Sequence, residues 1–373
     1  MYGQNGTGQT HVQTEEKLHN QAEMLRNRLA KRFKHLSKWA QRTGSGAFRL
    51  YDRDIPEIPL ILDYYKDARS GDCISGALYQ RPYEKDPNEE LIWLDEMKSA
   101  VAAALGLDRE NIFIKIREHQ RGAEQYGKQA NSAVTRIIEE AGLRFRVNLS
   151  DYLDTGLFPD RRPERYAIRQ EASDKKILNL FCYTGSFSVA AAAGGAASTC
   201  SVDMSNTYLG WAQENFSLNK IKSRIADMGD YWVTHTHKAH TLVRADALVF
   251  LKQAQTRRCT WDTIILDPPS FSNSKKMSGY LDLRRDYLRL LEQCLALLAD
   301  GGKIWFSANA KSFKEDAPSL EAELRQKHQT VRVTDMTRRL TDEDFRDRSI
   351  PRTFLIVKQE GLAIGNRNRE EDS

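Results

Sequence analysis

From Lys175 onward the chain alternates short apolar runs with helical stretches, and this order limits the fold more than any other feature. The runs are KILNLF (176–181), STCSVD (198–203), TLVRAD (241–246), DTIILD (262–267), GKIWFS (302–307), TVRVTD (330–335) and TFLIVKQ (353–359). Helical stretches at 186–196, 205–219, 246–255, 281–299 and about 316–328 separate most of them. Strand, helix and strand in turn predict a seven-stranded, doubly wound α/β sheet with helices on both faces. In such sheets ligands bind beyond the carboxyl ends of the strands, so functional residues are expected just after each run.

Upstream the pattern differs. Thr43-Gly44-Ser45-Gly46 breaks the chain. AFRLYD (47–52), PLILDYY (59–65) and ISGALYQ (74–80) then read as strands, a helix spans about 91–105, and strands follow at 112–116 and 145–149. This is a small α+β domain, expected to face RNA. Ahead of it, Leu18, Ala22, Leu25, Leu29, Phe33, Leu36 and Ala40 recur at steps of three or four and predict a helix to about Gln41. The other face of that helix carries Arg26, Arg28, Lys31, Arg32, Lys34, Lys38 and Arg42, with acids only near its start. Such a face grips RNA phosphates, lies on a membrane surface, or is simply solvated on a helix docked to the protein. The first fourteen residues, rich in Gly, Gln, Thr and Asn, are expected to be mobile. The boundaries are therefore 1–43 for tail and basic helix, 44–170 for the α+β domain, 171–360 for the doubly wound domain and 361–373 for a polar tail.

Composition removes several classes. Of 373 residues, 40% are hydrophobic and 29% charged, the mix of a globular chain rather than a disordered one. No apolar run approaches the roughly 20 residues that span a bilayer, and the N-terminus lacks the basic-then-apolar order of a signal peptide. A cytosolic protein with no membrane partner is expected. Cys73, Cys182, Cys200, Cys259 and Cys294 form no C-x-x-C pair and predict neither disulfides nor a thiolate metal cage. His235, His237 and His240 have no cysteine or positioned acid beside them, so no metal is expected there, and residues 222–240 read as a rim insertion that touches RNA. Lys and Arg outnumber Asp and Glu by 56 to 51, which permits a nucleic-acid partner without demanding one.

The chemistry lies at the strand ends. Cys182-Tyr183-Thr184-Gly185-Ser186 is a tight turn into a helix, and Gly185 lets a ligand approach the backbone. Tyr183 and Ser186 stand where a dinucleotide fingerprint needs further glycines, so a nucleoside without a diphosphate is the expected ligand. Asp203 closes the second run, where a carboxylate accepts both hydroxyls of a ribose, or else caps the next helix, a role Ser205 also fits. Asp246 closes the third and is placed either to accept from an adenine amino group or to cap. The fourth ends in Asp267-Pro268-Pro269-Ser270-Phe271: two prolines fix the backbone and remove two donors, carbonyls and a carboxylate face the pocket, and Phe271 can stack on a base.

In this order the motifs resemble the class I, Rossmann-like S-adenosylmethionine-dependent methyltransferases over about residues 175–358. NLFCYTGSFSVAAAAGGA, SVDMSNTYLGWAQENFSLN, ILDPPSFSNSKKM and LSDYLDTGLFPDRR are similar to the rRNA large-subunit methyltransferases of the K/L and I types. NRLAKRFKHLSKWA followed by FRLYDRDIPE extends the likeness to the C-terminal half of the K/L type, from about residue 26. The resemblance implies S-adenosylmethionine as cofactor, held by Phe181, Tyr183, Thr184, Gly185, Asp203, Met204, Asp246, Ala247 and Asp267. An approach loop would carry Phe158, Asp160 and Arg162, with an Asp160–Arg162 pair ordering a lid or forming an ordinary surface ion pair. It further implies methylation of guanine N7 in 23S rRNA, at guanine 2069 in the usual large-subunit numbering. Because the K/L type also has a guanine-N2 half, this chain would act alone at N7, with a separate N2 enzyme as a possible partner.

The target atom can be weighed against the residues. Methylating cytosine C5 needs a thiolate after the fifth strand, and Phe306-Ser307-Ala308-Asn309 has none. Guanine N7 already presents a lone pair, so in-line positioning in a dry site suffices and no general base is assigned. Asp267, the Pro268 carbonyl and Phe271 are the expected catalytic groups, with Asn273 and Asn309 reading the guanine edge. Lys275, Lys276, Lys311, Arg28, Lys31 and Arg32 are the candidates for RNA phosphates. Two alternatives stay open: methylation of another rRNA base atom such as guanine N2, and a non-catalytic RNA-binding assembly factor on the same fold.

Overall fold

A computed structural model describes residues 6–67, 69–79, 86–117, 133–233, 239–272, 281–309, 313–328, 330–346, 348 and 350–359. The chain divides into two units, one of residues 1–167 with 214–221 and 341–350, the other of 168–213, 222–340 and 351–373.

In the first unit, α1 (Gly6–Thr43) buries Ala22, Leu25, Leu29, Leu36 and Ala40 of the predicted stripe, together with Trp39, while Leu18 and Phe33 are half-buried. It begins within the stretch expected to be mobile, since a helix propagates cheaply once its packed part has formed. The helix is joined in this unit to a four-stranded sheet of order β1 (Ala47–Asp52), β2 (Leu60–Tyr65), β3 (Cys73–Tyr79) and β4 (Ile112–Arg117). α2 (Pro87–Leu105) crosses between the parallel strands β3 and β4. Asp86 caps α2 by accepting from the Asn88 and Glu89 amides, and Trp93 Nε1 donates to Gln21 Oε1 of α1 at 2.7 Å. A hairpin of β5 (Thr135–Glu140) and β6 (Leu143–Asn148) turns on Ala141 and Gly142, both left-handed.

α3 (Arg162–Glu171) leads toward the second unit, whose sheet runs β15-β16-β14-β11-β7-β8-β10-β9. These strands are β7 (Lys176–Leu180), β8 (Ser198–Asp203), β9 (Ser223–Asp227), β10 (His240–Arg244), β11 (Trp261–Leu266), β14 (Leu298–Ala308), β15 (Val331–Asp335) and β16 (Arg352–Lys358). The pairs β9–β10, β10–β8, β8–β7, β7–β11 and β11–β14 are parallel, while β16 runs antiparallel between β14 and β15. Strand order reverses direction at β7, which puts the crevice for a ligand beyond the ends of β7, β8 and β11. Both faces are covered by helices, so the strands are near-continuously apolar: Leu178, Leu180, Val202, Val243, Ile264, Leu266, Ile304 and Phe306 all lie in one core.

The connecting helices are α4 (Ser186–Ala193), α5 (Asn206–Leu218), α6 (Met228–Val233), α7 (Ala247–Thr256), α8 (Leu283–Leu295) and α9 (Ala317–Arg325), with a short ribbon of β12 (Phe271–Ser272) and β13 (Leu281–Asp282) ahead of α8. Among the described residues the sheet thus has eight strands where seven were predicted. The addition is β9, which with α6 occupies most of the stretch read as a rim insertion; only Ala226 of the strand is buried, so it carries no periodic apolar signal. None of the described helices is long and apolar enough to cross a membrane.

Candidate active site

β7 runs out into a turn in which Phe181 (φ 57°), Tyr183 (φ 52°) and Gly185 (φ 72°) are all left-handed. Two of the three carry side chains, which costs about 1–3 kcal/mol each and marks a backbone shaped for something other than stability. Hydrogen bonds hold it: Cys182 N donates to Val202 O (3.0 Å), Tyr183 N to Asp203 Oδ2 (3.0 Å) and Gly185 N to Cys182 O (2.8 Å). Gly185 is then the N-cap of α4 and offers no side chain to its first amides. A helix start capped in this way suits a ligand carboxylate, such as that of an amino acid.

Asp203 ends β8. Its Oδ1 accepts from Ser205 N at 2.9 Å while Oδ2 takes the Tyr183 amide. Ser205 caps α5, its hydroxyl accepting from Tyr208 N at 3.3 Å, so the carboxylate of Asp203 is not the helix cap. Burial raises the Asp203 carboxyl to about 6, against the amides of Ser205, Tyr183 and Met204 that pull it down. Asp246, at the end of the next inner strand, does cap its helix: Oδ1 accepts from Leu248 N (2.8 Å) and Val249 N (3.0 Å). Ala247 behind it is buried. Both bonds fall on one oxygen, so capping and a contact through the other oxygen are compatible.

β11 delivers Asp267, a buried Pro268 and Pro269, then Ser270 and Phe271, whose ring is 42% exposed. Phe271 pairs with Asp282 across the β12–β13 ribbon, which sets its ring beyond the sheet rather than in the core. Asn309 follows β14 in an exposed position, and its carbonyl accepts from Ser270 Oγ at 3.0 Å. The expected cofactor and base residues therefore stand at the carboxyl ends of neighbouring strands of one sheet.

Other expected residues are placed differently. Arg162 does not pair with Asp160. Its Nε donates to Asp342 Oδ2 (2.8 Å), one NH2 nitrogen to Asp344 Oδ1 (2.7 Å) and the other to Ala47 O (2.7 Å), and its guanidinium lies over the Trp39 ring at 4.7 Å. This buried arginine ties elements of the first unit together through three acceptors on its fork. Asp160, meanwhile, adds to the field around Arg49 and Asp63. On α1, Arg28 is exposed but paired to Asp54 (2.7 Å), Arg32 is half-buried and donates to Leu50 O (2.7 Å), and Lys31 is exposed. Asn273, Lys275, Lys276, Lys311, His235 and His237 lie outside the described residues. His240 starts β10 with Nδ1 3.1 Å from Thr199 Oγ1, and burial lowers its pKa. No cluster of three metal-ligating side chains occurs among the described residues.

Burial pushes every cysteine thiol up: Cys73 and Cys200 to about 12, Cys182 and Cys294 strongly, Cys259 in the same sense. None is an activated nucleophile. Three residues, one at a strand end and two on α5, escaped sequence reasoning. Arg244 stands in register between Asp203 and Asp227, ion-paired to Asp227 at 2.6 Å and donating to Asn206 Oδ1 at 3.2 Å. Tyr208 and Trp211 form an aromatic block against Tyr183, with ring centroids 4.5 and 6.4 Å from it. Only the i, i+3 spacing of Tyr208 and Trp211 on one helix face hints at the block in the sequence.

A doubly wound sheet with a left-handed glycine turn after its first strand and a carboxylate after its second is the arrangement of nucleoside-binding α/β folds, the class I methyltransferases among them. The model of the S-adenosylmethionine-dependent methyltransferase family matches residues 71–336. The ribosomal RNA large subunit methyltransferase K of Neisseria meningitidis serogroup B is 43% identical over 330 residues, which cover 88% of this chain and 86% of that protein. The K/L methyltransferase of Hahella chejuensis is 45% identical over 302 residues, 81% of this chain but 39% of that protein, so the chain spans about two fifths of the length of the K/L relative. Among solved structures, an S-adenosylmethionine-dependent methyltransferase from Streptococcus mutans superposes with a TM-score of 0.65 at 24% identity, over 90% of this chain and 81% of that one. A methyltransferase crystallised with S-adenosylhomocysteine gives 0.66 at the same identity and coverage. The chain belongs to the S-adenosylmethionine-dependent methyltransferases, in the branch of ribosomal RNA large subunit methyltransferase K. S-adenosylmethionine is its methyl donor.

Proposed function

We propose that this protein methylates N7 of a guanine in 23S ribosomal RNA, guanine 2069 in the usual large-subunit numbering, as a cytoplasmic enzyme. The name of the Neisseria relative supports a large-subunit rRNA substrate. The observation that carries the choice of atom is the exit of β14: Phe306-Ser307-Ala308-Asn309 presents no sulfur, and all five thiols are held neutral by burial. N7 needs neither a covalent nucleophile nor a base, because it loses no proton.

When bound, S-adenosylmethionine supplies a methyl group on a positively charged sulfur. The residues of this chain do the rest. Asp203 accepts the ribose hydroxyls and Asp246 faces the adenine amino group. The first turn of α4, capped by Gly185, takes the carboxylate. Asp267 and the Pro268 carbonyl face the base and the transferred methyl group, where their negative character tolerates the cation that forms on the purine. Phe271 stacks on the base and Asn309 reads its edge, with Asn273, Lys275, Lys276 and Lys311 as further contacts. Lys31 and its neighbours on α1 hold phosphates.

The test is chemical. Borohydride reduction and aniline cleavage of 23S rRNA, which cut at N7-methylguanine, are expected to give a site in cells carrying the gene, lose it on deletion and regain it on complementation. An unchanged cleavage pattern after deletion overturns the reading.

A further inference from the structure

We infer that Ser270 is a positioning residue: its hydroxyl locks the loop after β11 to the end of β14 and so sets where Asn309 meets the base held by Phe271. The inference rests on the proposed base-facing role of Phe271 and Asn309. β11 and β14 are paired up to Leu266 and Phe306, where the described ladder stops. Beyond that point adjacent parallel strands diverge into loops, and Ser270 Oγ spans the gap by donating to Asn309 O at 3.0 Å. Ser270 is itself held from the other side, because its carbonyl accepts from Leu283 N, the first residue of α8, at 3.1 Å. That helix start is fixed in turn: Asp282 caps it, and Asp282 N donates to Asp286 Oδ2 at 3.0 Å.

Phe313, the next described residue after Asn309, is buried against Phe306, Tyr287 and Phe354 with ring centroids 5.8, 5.2 and 6.0 Å away. Asn309 therefore lies between a packed strand and a packed phenylalanine, and the Ser270 bond fixes its carbonyl within that span. Ser270 is exposed, so water would satisfy the hydroxyl equally well in the unlocked loop. What the bond adds is geometry rather than stability, and near-attack geometry is what a reaction without a general base depends on.

The experiment uses the full chain and unmodified large-subunit rRNA from cells lacking the gene. Ser270→Ala is expected to lower kcat/KM for RNA on the order of three- to tenfold, with affinity for S-adenosylhomocysteine and melting temperature unchanged. Ser270→Thr, which keeps the hydroxyl, is expected to restore the rate. In a double-mutant cycle, Ser270→Ala is expected to add little to Asn309→Ala, since the bond to the Asn309 carbonyl acts on the base only through the side chain that Asn309→Ala removes. A Ser270→Ala enzyme with normal kinetics beside a damaged Asn309→Ala enzyme, or full additivity of the two, overturns the inference alone. Silent Phe271→Ala and Asn309→Ala enzymes overturn the base-facing reading and the inference with it.

Discussion

Asp203 Oδ2 accepts the backbone amide of Tyr183 at 3.0 Å, joining the end of β8 to a residue in the left-handed region 20 positions earlier. One carboxylate thus steadies the strained turn and stands at the crevice beyond the strand ends, where we propose that it takes the ribose. Its carboxyl, raised by burial to about 6, gives the site a pH dependence with a definite sign. Ribose hydroxyls donate to the ionised form, so affinity for S-adenosylhomocysteine is full well above pH 6 and falls as pH drops through that value, toward about tenfold per unit. Folding responds in the other sense: the native state holds this proton more tightly than the unfolded chain between roughly pH 4 and 6, so this group's contribution to stability declines as pH rises through that window. Calorimetry from pH 5 to 8 checks the first effect, and Asp203→Asn is expected to bind weakly with a flat profile. Wild-type affinity that does not change over this range counts against the assignment.

The doubly wound order and the strand-end residues were legible because burial on both faces writes each inner strand as a continuous apolar run, and because parallel strands bring their ends to one side. β9 was not legible, since an edge strand with one buried residue has nothing to repeat. The ion-pair partner of Arg162 was misread for a different reason. LFPDRR places Asp160 beside it in sequence, but the partners it takes, Asp342 and Asp344, are some 180 residues away and reach it only through the fold. Sequence spacing also separates the two faces of α1 correctly in its middle but not at its edge, where Arg28 and Arg32 bend to Asp54 and Leu50.

Arg162 therefore offers a test that separates structure from cofactor binding. It and Asp344 are 7% and 0% exposed, and removing one partner of a buried pair strands the other charge, at about 3–5 kcal/mol. Arg162→Ala is expected to lower the melting temperature sharply while leaving the affinity for S-adenosylhomocysteine intact in the fraction that folds. Loss of affinity in a protein of normal stability would restore the cofactor role.

Gly194 ends α4 at a place where a Cβ atom would lie 2.1 Å from the Arg169 carbonyl oxygen. The clash is with backbone at the end of α3, so it cannot be relieved by a side-chain rotation. Gly194→Ala is expected to destabilise the fold by about 1–3 kcal/mol, the usual range for overpacking. Chemical denaturation followed by circular dichroism measures it, and a midpoint equal to that of the parent protein contradicts the close approach.

The basic face of α1 can be divided by the partners its residues have. Arg28 and Arg32 are engaged by Asp54 and Leu50, whereas Lys31, Lys34 and Lys38 are exposed on successive turns and form no ion pair among the described residues. Spaced by three and four residues, the lysines form one stripe about 10 Å long, long enough to follow a run of phosphates. If the stripe holds RNA, the triple change to Glu weakens rRNA binding and also flattens its salt dependence, since each lost phosphate contact removes about 0.7–0.9 from the slope of log K against log salt. Arg28→Ala is expected to act on stability instead, by removing one of the two arginines that pair the buried carboxylate of Asp54. Filter binding of the same rRNA between about 50 and 200 mM salt distinguishes the two. An unchanged slope in the triple variant would mean that these lysines are only a solvated helix face, and that the RNA is held elsewhere.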